Sequence, residues 1–132
     1  MNIESHLAST ILLIVDDNQA NVLIATTCLD DLGYRYDIAE NGEEAVKLFK
    51  LNRYALILMD IQMPIMSGVE ATKHIRQYEL EQRQTLTPII ALTANNTLSD
   101  RADCIACGMN DFLAKPYLLE DLSVKILNNS IR

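Results

Sequence analysis

Leu56-Ile57-Leu58-Met59-Asp60 sets four consecutive apolar residues ahead of a carboxylate. A strand with one wet face alternates apolar and polar residues, so a run apolar at every position implies a strand covered on both faces, as in a parallel sheet between helix layers. In such open α/β folds ligands bind outside the carboxyl ends of the strands. Asp60 is thereby the first candidate for chemistry.

Outward from this run the chain alternates strand and helix signals. Thr10 to Val15 is a short, partly β-branched apolar run ending at Asp16-Asp17-Asn18, and reads as the first strand. A helix starts near Asn18, with Val22, Ala25, Thr26, Leu29 and Leu32 on one face and Gly33 as its left-handed cap. Tyr34 to Ala39 is an edge-like second strand. Asn41-Gly42-Glu43-Glu44 caps the next helix, whose buried side is Ala45, Leu48 and Phe49. Beyond Asp60, a loop containing Pro64 and Gly68 leads into a helix of about ten residues, with Ser67 as N-cap and Glu70 at the capping-box position. Ile89 to Leu92, ending at Thr93, is the fourth strand. Asn96 to Cys107 is a weaker helix with Leu98, Ala102 and Ile105 on one side and Gly108 as cap. Asp111 to Ala114 is the fifth strand, ended by Lys115-Pro116, and Leu119, Leu122 and Ile126 form the stripe of a last helix.

Connections too long for hairpins imply a parallel sheet with right-handed crossovers and helices on both faces. All carboxyl ends then share one edge, where Asp16, Asp17, Asp60, Thr93 and Lys115 gather. The second strand, ending in Ala39, suits a place away from the site.

At 132 residues the chain has the size of one domain, and its 49% hydrophobic and 22% charged composition is that of a folded protein. A net charge of -7 disfavours direct nucleic-acid binding, which needs clustered cations. No apolar run is long enough for a membrane span and residues 1–9 lack a cationic signal-peptide region, so a cytoplasmic location is expected. Cys28, Cys104 and Cys107 read as free thiols. Cys104-Ile105-Ala106-Cys107 matches C-x-x-C, but it precedes a helix C-cap, whereas a reactive pair belongs at a helix N-terminus.

Two carboxylates about 4 Å apart repel by roughly 4 kcal/mol at an effective dielectric near 20, worth about three pKa units against joint ionisation. Three carboxylates need a cation. Hard oxygen donors without nearby His or a suitable Cys point to Mg2+, which keeps open positions for water and phosphate oxygens. Lys115 adds a mobile positive charge and Thr93 a hydroxyl. This set suits phosphoryl transfer, with Asp60 as nucleophile and the Asp16-Asp17 pair holding metal. The plainer alternatives are a helix-capping Asp pair and a solvated Asp at a strand end.

Val15-Asp16-Asp17-Asn18, Met59-Asp60-Ile61-Gln62-Met63-Pro64 through Ser67-Gly68, Leu92-Thr93-Ala94 and Gly108-Met109-Asn110-Asp111-Phe112-Leu113-Ala114-Lys115-Pro116 together resemble the receiver domain of two-component response regulators, most closely receivers of hybrid histidine kinases. The resemblance spans about residues 10–128, leaving 1–9 as a frayed extension and 129–132 as a tail. It implies a flavodoxin-like (βα)5 fold with strand order 2-1-3-4-5. It further implies that Asp60 accepts a phosphoryl group from the phosphohistidine of a histidine kinase or histidine phosphotransfer protein. Asp17 matches the direct Mg2+ ligand, Asp16 its partner, and Gln62 the residue lending a backbone carbonyl. Thr93 matches the switch hydroxyl, Lys115 the phosphate-binding lysine and Phe112 the aromatic switch. The Lys115-Pro116 bond is expected to be cis.

Ser67 replaces a more usual acidic residue but still caps a helix. Phe112 lacks a tyrosine hydroxyl, so packing alone is expected to hold its inward state. Gln62 and Asn95 match positions that the family uses to adjust how water reaches the acyl phosphate, and are expected to influence the phosphoryl lifetime. The rival classes are a Mg2+-dependent phosphohydrolase with an aspartyl nucleophile, for which Gln62 stands where an acid/base Asp is usual, and a docking module that is never phosphorylated. The chain reads either as a stand-alone receiver or as a segment of a longer kinase or regulator, with a phosphorylation-dependent dimer left open. His6 and His74 read as neither phosphodonors nor ligands, Met59, Met63, Met66 and Met109 as gap fillers, and Glu79 to Arg83 as a solvated charged face.

Overall fold

The computed structural model describes residues 11–94 and 97–129. Thr10, Asn95, Asn96, His6 and the other residues of the 1–9 and 130–132 segments lie outside that set. Ten elements alternate along the chain: β1 (Ile11–Val15), α1 (Gln19–Leu32), β2 (Arg35–Ala39), α2 (Gly42–Leu51), β3 (Leu56–Asp60), α3 (Gly68–Gln82), β4 (Ile89–Thr93), α4 (Leu98–Cys107), β5 (Asp111–Ala114) and α5 (Leu119–Asn129). The strands form one parallel sheet in the order β2-β1-β3-β4-β5, so the expected flavodoxin-like order holds. The last helix runs one residue into the 129–132 segment expected as a tail.

Every residue of β3 and of β4 is buried, because alternate side chains enter two separate cores. Leu12, Ile14, Leu56, Leu58, Ile90 and Leu92 meet Ala25, Cys28 and Leu29 of α1 and Leu122 and Ile126 of α5. Leu13, Val15, Ile57, Met59, Ile89 and Ala91 meet Ala45 and Phe49 of α2, Ala71 and Ile75 of α3, and Cys104 and Cys107 of α4. This two-sided burial accounts for the unbroken apolar runs. The helices start on local caps: Asn18, Asn41, Ser67 and Thr97 each accept a backbone N–H of the first turn.

Three expectations need correction. Helix α3 has fifteen residues rather than about ten, because its buried face continues beyond Ile75 to Glu79. The segment Glu79 to Arg83 is therefore not a solvated face throughout: Glu79 is fully buried. Its Oε1 accepts from Arg76 Nη1 at 2.7 Å and its Oε2 from the Thr87 amide at 2.7 Å, which is how a charge is tolerated at a core position. Arg76 also donates through Nε to the Gly108 carbonyl and through Nη2 to Asn110 Oδ1, each at 2.9 Å. On α4, the Leu98, Ala102 and Ile105 side is exposed to solvent. The helix turns Cys104 and Cys107 to the core instead.

Candidate functional site

Backbone pairing assembles the site before any side chain contributes. The Asp16 amide donates to the Ala39 carbonyl, the Ile61 amide to Leu92 and the Lys115 amide to Thr93, so the loops leaving β1, β3 and β5 are each fixed to the end of a neighbouring strand. The loop after Asp60 closes through the Gly68 amide on the Ile61 carbonyl. Gly68 is required there, because a Cβ would collide with the Asp60 carbonyl oxygen. The Lys115-Pro116 bond is cis, as the family resemblance implies.

At this edge one carboxylate oxygen each from Asp16, Asp17 and Asp60 lies within 4.8 Å of the others. Asp16 and Asp60 are buried, whereas Asp17 is exposed. Lys115 Nζ reaches Asp60 Oδ1 at 3.0 Å and Asp16 Oδ2 at 3.4 Å, and the Gln62 amide donates to Asp60 Oδ1 at 3.3 Å. Burial is the main force on the Asp60 carboxyl, pushing its pKa up from 3.8 to about 6. The Lys115 hydrogen bond and charge and the Gln62 amide pull it down, while the Asp16 charge adds to the rise.

The helix-cap alternative does not hold for Asp16: the N-cap of α1 is Asn18, and the Asp16 carboxylate lies ahead of the helix. Oδ1 accepts from the Asn18 amide at 2.9 Å, whereas Oδ2 is buried without a hydrogen-bond partner, Lys115 making only the long approach to it. An orphaned, buried carboxylate oxygen beside two other carboxylates is what a hard cation would satisfy. The donor set therefore fits Mg2+.

Thr93 is buried at the end of β4, one residue beyond the Leu92 that pairs with Asp60. The Gln62 side chain is exposed on the rim, and Asn95 lies outside the described residues. Phe112, on β5, is half-buried, with the Arg101 guanidinium 4.7 Å from its ring centroid and the Lys125 ammonium 5.9 Å. His74 is exposed. Tyr117 was not singled out in the sequence, although an aromatic directly after Lys115-Pro116 was the available signal. It is buried, its hydroxyl donates to the Asn21 carbonyl at 3.3 Å, and burial, then the Asp16 and Asp60 charges, push its pKa up.

The cysteines are free and buried, and burial raises the pKa of all three thiols. Such thiols are poor nucleophiles, in keeping with the inert reading of the C-x-x-C spacing.

The fold and this edge together define a doubly wound α/β domain with an acidic, lysine-bearing cleft at its topological switch point. The chain belongs to the response regulator receiver domain family, whose model matches residues 12–127. Among its relatives, hybrid signal transduction histidine kinase B of Dictyostelium discoideum is 41% identical over 128 residues, covering 91% of this chain and 6% of that protein. Sensor protein GacS of Pseudomonas syringae pv. syringae is 40% identical over 115 residues, covering 87% of this chain and 13% of that protein. The chain thus spans a small part of the curated relatives it matches. Among solved structures, the Saccharomyces cerevisiae Ssk1 receiver domain, crystallised with the histidine phosphotransfer protein Ypd1, superposes with TM-score 0.87 at 38% identity, covering 92% of this chain and 89% of that one. The receiver domain of sensor histidine kinase PA1611 of Pseudomonas aeruginosa, with magnesium coordinated in its active-site cleft, gives TM-score 0.80 at 39% identity, covering 92% and 97%. No helix among the described residues is long and apolar enough to cross a membrane.

Proposed function

We propose that this receiver accepts a phosphoryl group on Asp60 from the phosphohistidine of a histidine kinase or histidine phosphotransfer protein. The observation that carries the reading is Lys115 Nζ at 3.0 Å from a buried Asp60 carboxylate that shares its edge with Asp16 and Asp17. The similarity to a receiver crystallised with a histidine phosphotransfer protein supports the donor class.

In the transfer an Asp60 carboxylate oxygen bonds to phosphorus as the P–N bond of the phosphohistidine breaks, and the imidazole nitrogen leaves with that electron pair. Asp16, Asp17, Asp60 and the Gln62 carbonyl would hold Mg2+, which supplies charge neutralisation for the phosphoryl oxygens. The Gln62 amide and Lys115 orient the attacking carboxylate. After transfer Lys115 faces the phosphoryl group, and Thr93 offers it a hydroxyl donor. Gln62 and Asn95, at the mouth, set how readily water reaches the acyl phosphate. The reading predicts Mg2+-dependent labelling of wild type by a phosphohistidine donor and by a small phosphoramidate, and none of Asp60→Asn. Labelling of the Asn variant to the wild-type extent would remove Asp60 from this role. Equal phosphoryl lifetimes in wild type and a Gln62→Ala, Asn95→Ala double variant would remove the second pair from theirs.

A further inference from the structure

The loop that leaves Asp60 contains a strained turn. The Met66 amide donates to the Pro64 carbonyl at 2.7 Å, and Ile65, the residue between them, has a φ of 71°. A hydrogen bond that closes three residues about a positive φ makes a γ-turn of the rarer, strained hand. Glycine, and to a lesser degree Asn and Asp, enters the left-handed region at little cost, whereas a β-branched residue there is an outlier. Arg83, the other non-glycine residue at positive φ among the described residues, is unbranched and ends α3 as its left-handed cap.

The backbone of this turn has a purpose within the fold. It presents the Met66 carbonyl to the Gly42 amide, at 3.1 Å, and so ties the catalytic loop to the start of α2. Glycine or asparagine at position 65 would make the same turn with less strain, so the tie accounts for the φ and not for the isoleucine. Packing does not account for it either. Met63 and Met66, which flank the turn, lie against the core, whereas the Ile65 side chain is 75% exposed. Isoleucine here strains the fold and returns no burial, which is the pattern of a residue retained for a contact outside the chain.

We infer that the Ile65 side chain is covered by the phosphohistidine-bearing protein that phosphorylates Asp60, and that it favours protein donors over small ones. This rests on the phosphoacceptor reading above. Asp60 is only 4% exposed, so a protein-borne imidazole brings its phosphoryl group to the carboxylate only as the donor's own surface closes over the surrounding loops. The loop of residues 61–67 starts at the residue after Asp60 and is closed by the Gly68 amide on the Ile61 carbonyl, which keeps Ile65 at that edge. The chemistry it fits is an apolar patch beside the donor's phosphohistidine. A β-branched side chain on a fixed turn loses little freedom when covered, so its burial counts almost fully towards affinity. A small phosphoramidate enters the cleft alone and gains nothing from it.

The test uses the full chain with Mg2+, phosphorylated Ypd1 as the protein donor and phosphoramidate as the small one. The proteins are wild type, Ile65→Asn, Ile65→Leu and, as an exposed apolar control at the far end of α2, Leu51→Asn. Ile65→Asn raises the KM for phosphorylated Ypd1 by about tenfold, the scale of one buried aliphatic side chain, and leaves the rate of phosphoramidate labelling within about twofold of wild type. Ile65→Leu, which keeps an apolar side chain, retains most of the affinity for the protein donor, and Leu51→Asn changes neither reaction. In urea denaturation Ile65→Asn has a folding equilibrium constant about fivefold more favourable than wild type, because the strain is relieved. An Asn variant no more stable than wild type, an unchanged KM for phosphorylated Ypd1, an equal loss with phosphoramidate, or no transfer from Ypd1 to a wild type that phosphoramidate labels would each overturn the inference. Failure of phosphoramidate to label wild type, or undiminished labelling of Asp60→Asn, would instead sink the phosphoacceptor reading. Equilibrium binding of unphosphorylated Ypd1 to wild type and Ile65→Asn would then still decide whether Ile65 meets the donor.

Discussion

Asp60→Asn should make the metal-free protein more stable at neutral pH, although it removes an ion pair. The folded Asp60 carboxyl has a pKa raised from 3.8 to about 6, with burial the largest cause. Below about pH 3 the group is protonated in both folded and unfolded chains and makes no difference between them. As pH rises, the unfolded chain ionises first, so the folded state loses about 1.36 kcal/mol per pH unit until its own carboxyl ionises near 6. The loss totals about 3 kcal/mol and is complete by about pH 6.5. Asparagine keeps the shape without the charge, so the stability difference between variant and wild type should grow from near zero at about pH 3 to about 3 kcal/mol at pH 7, or roughly 10 °C in Tm for a chain of this size. Urea denaturation in EDTA at half-unit pH steps measures the curve. A difference that is flat with pH, or an Asn variant less stable than wild type at pH 7, would show that the Lys115 contact outweighs desolvation and that the site does not hold Asp60 under electrostatic strain.

Other consequences follow from single contacts. Arg76→Met leaves the buried Glu79 carboxylate with the Thr87 amide as its hydrogen-bond donor among the described residues, and should cost about 3–5 kcal/mol in urea denaturation, far more than a surface ion pair. Glu79→Gln, which keeps an acceptor for Thr87, should cost clearly less. Gly68→Ala forces a Cβ against the Asp60 carbonyl and should destabilise by about 1–3 kcal/mol while slowing Asp60 labelling by phosphoramidate. A variant with wild-type labelling and stability would mean that this loop is not the rigid support described. Cys28, Cys104 and Cys107, buried and with raised pKa values, should alkylate slowly in native protein at pH 8 and rapidly in guanidinium, as mass spectrometry would show.

Parts of the molecule that depend on short-range pattern could be read directly from the residues. Strands β3 and β4 announce two-sided burial by their unbroken apolar runs, and a parallel sheet must then bring Asp16, Asp60, Thr93 and Lys115 to one edge. What escaped sequence reading depends on partners remote in the chain. Glu79 looks solvated beside Glu81 and Arg83, and only the contacts with Arg76 and the Thr87 amide make its burial tolerable. The orientation of α4 was misread for a related reason. Leu98, Ala102 and Ile105 are the stronger hydrophobes, yet the short C-terminal turn is pinned through Gly108 and Asn110, and that rotation sends Cys104 and Cys107 inward. Cysteine packs as a small hydrophobe, a role that its spacing beside Leu98, Ala102 and Ile105 does not announce. The Arg101–Phe112 contact joins α4 to β5, and no periodicity within either element indicates it.

The charge balance of the edge makes a cation a requirement of the proposed chemistry rather than an accessory to it. Lys115 is shared between Asp60 Oδ1 and Asp16 Oδ2, so among the described residues one positive charge in contact stands against three carboxylates. Raising the Asp60 pKa relieves part of that imbalance by favouring a proton, but a protonated carboxyl is a poor nucleophile. Transfer at neutral pH needs the proton kept off while a phosphoryl group carrying further negative charge arrives. If Lys115 then turns to the phosphoryl oxygens, Asp16 Oδ2 loses its one nearby ammonium while remaining buried and without a hydrogen bond. A divalent cation held by Asp16, Asp17 and Asp60 would answer both demands, keeping Asp60 ionised beforehand and compensating Asp16 afterwards. With that counter-charge on the acidic pair, Lys115, which on the proposed reading orients the nucleophile, would be free to turn to the product.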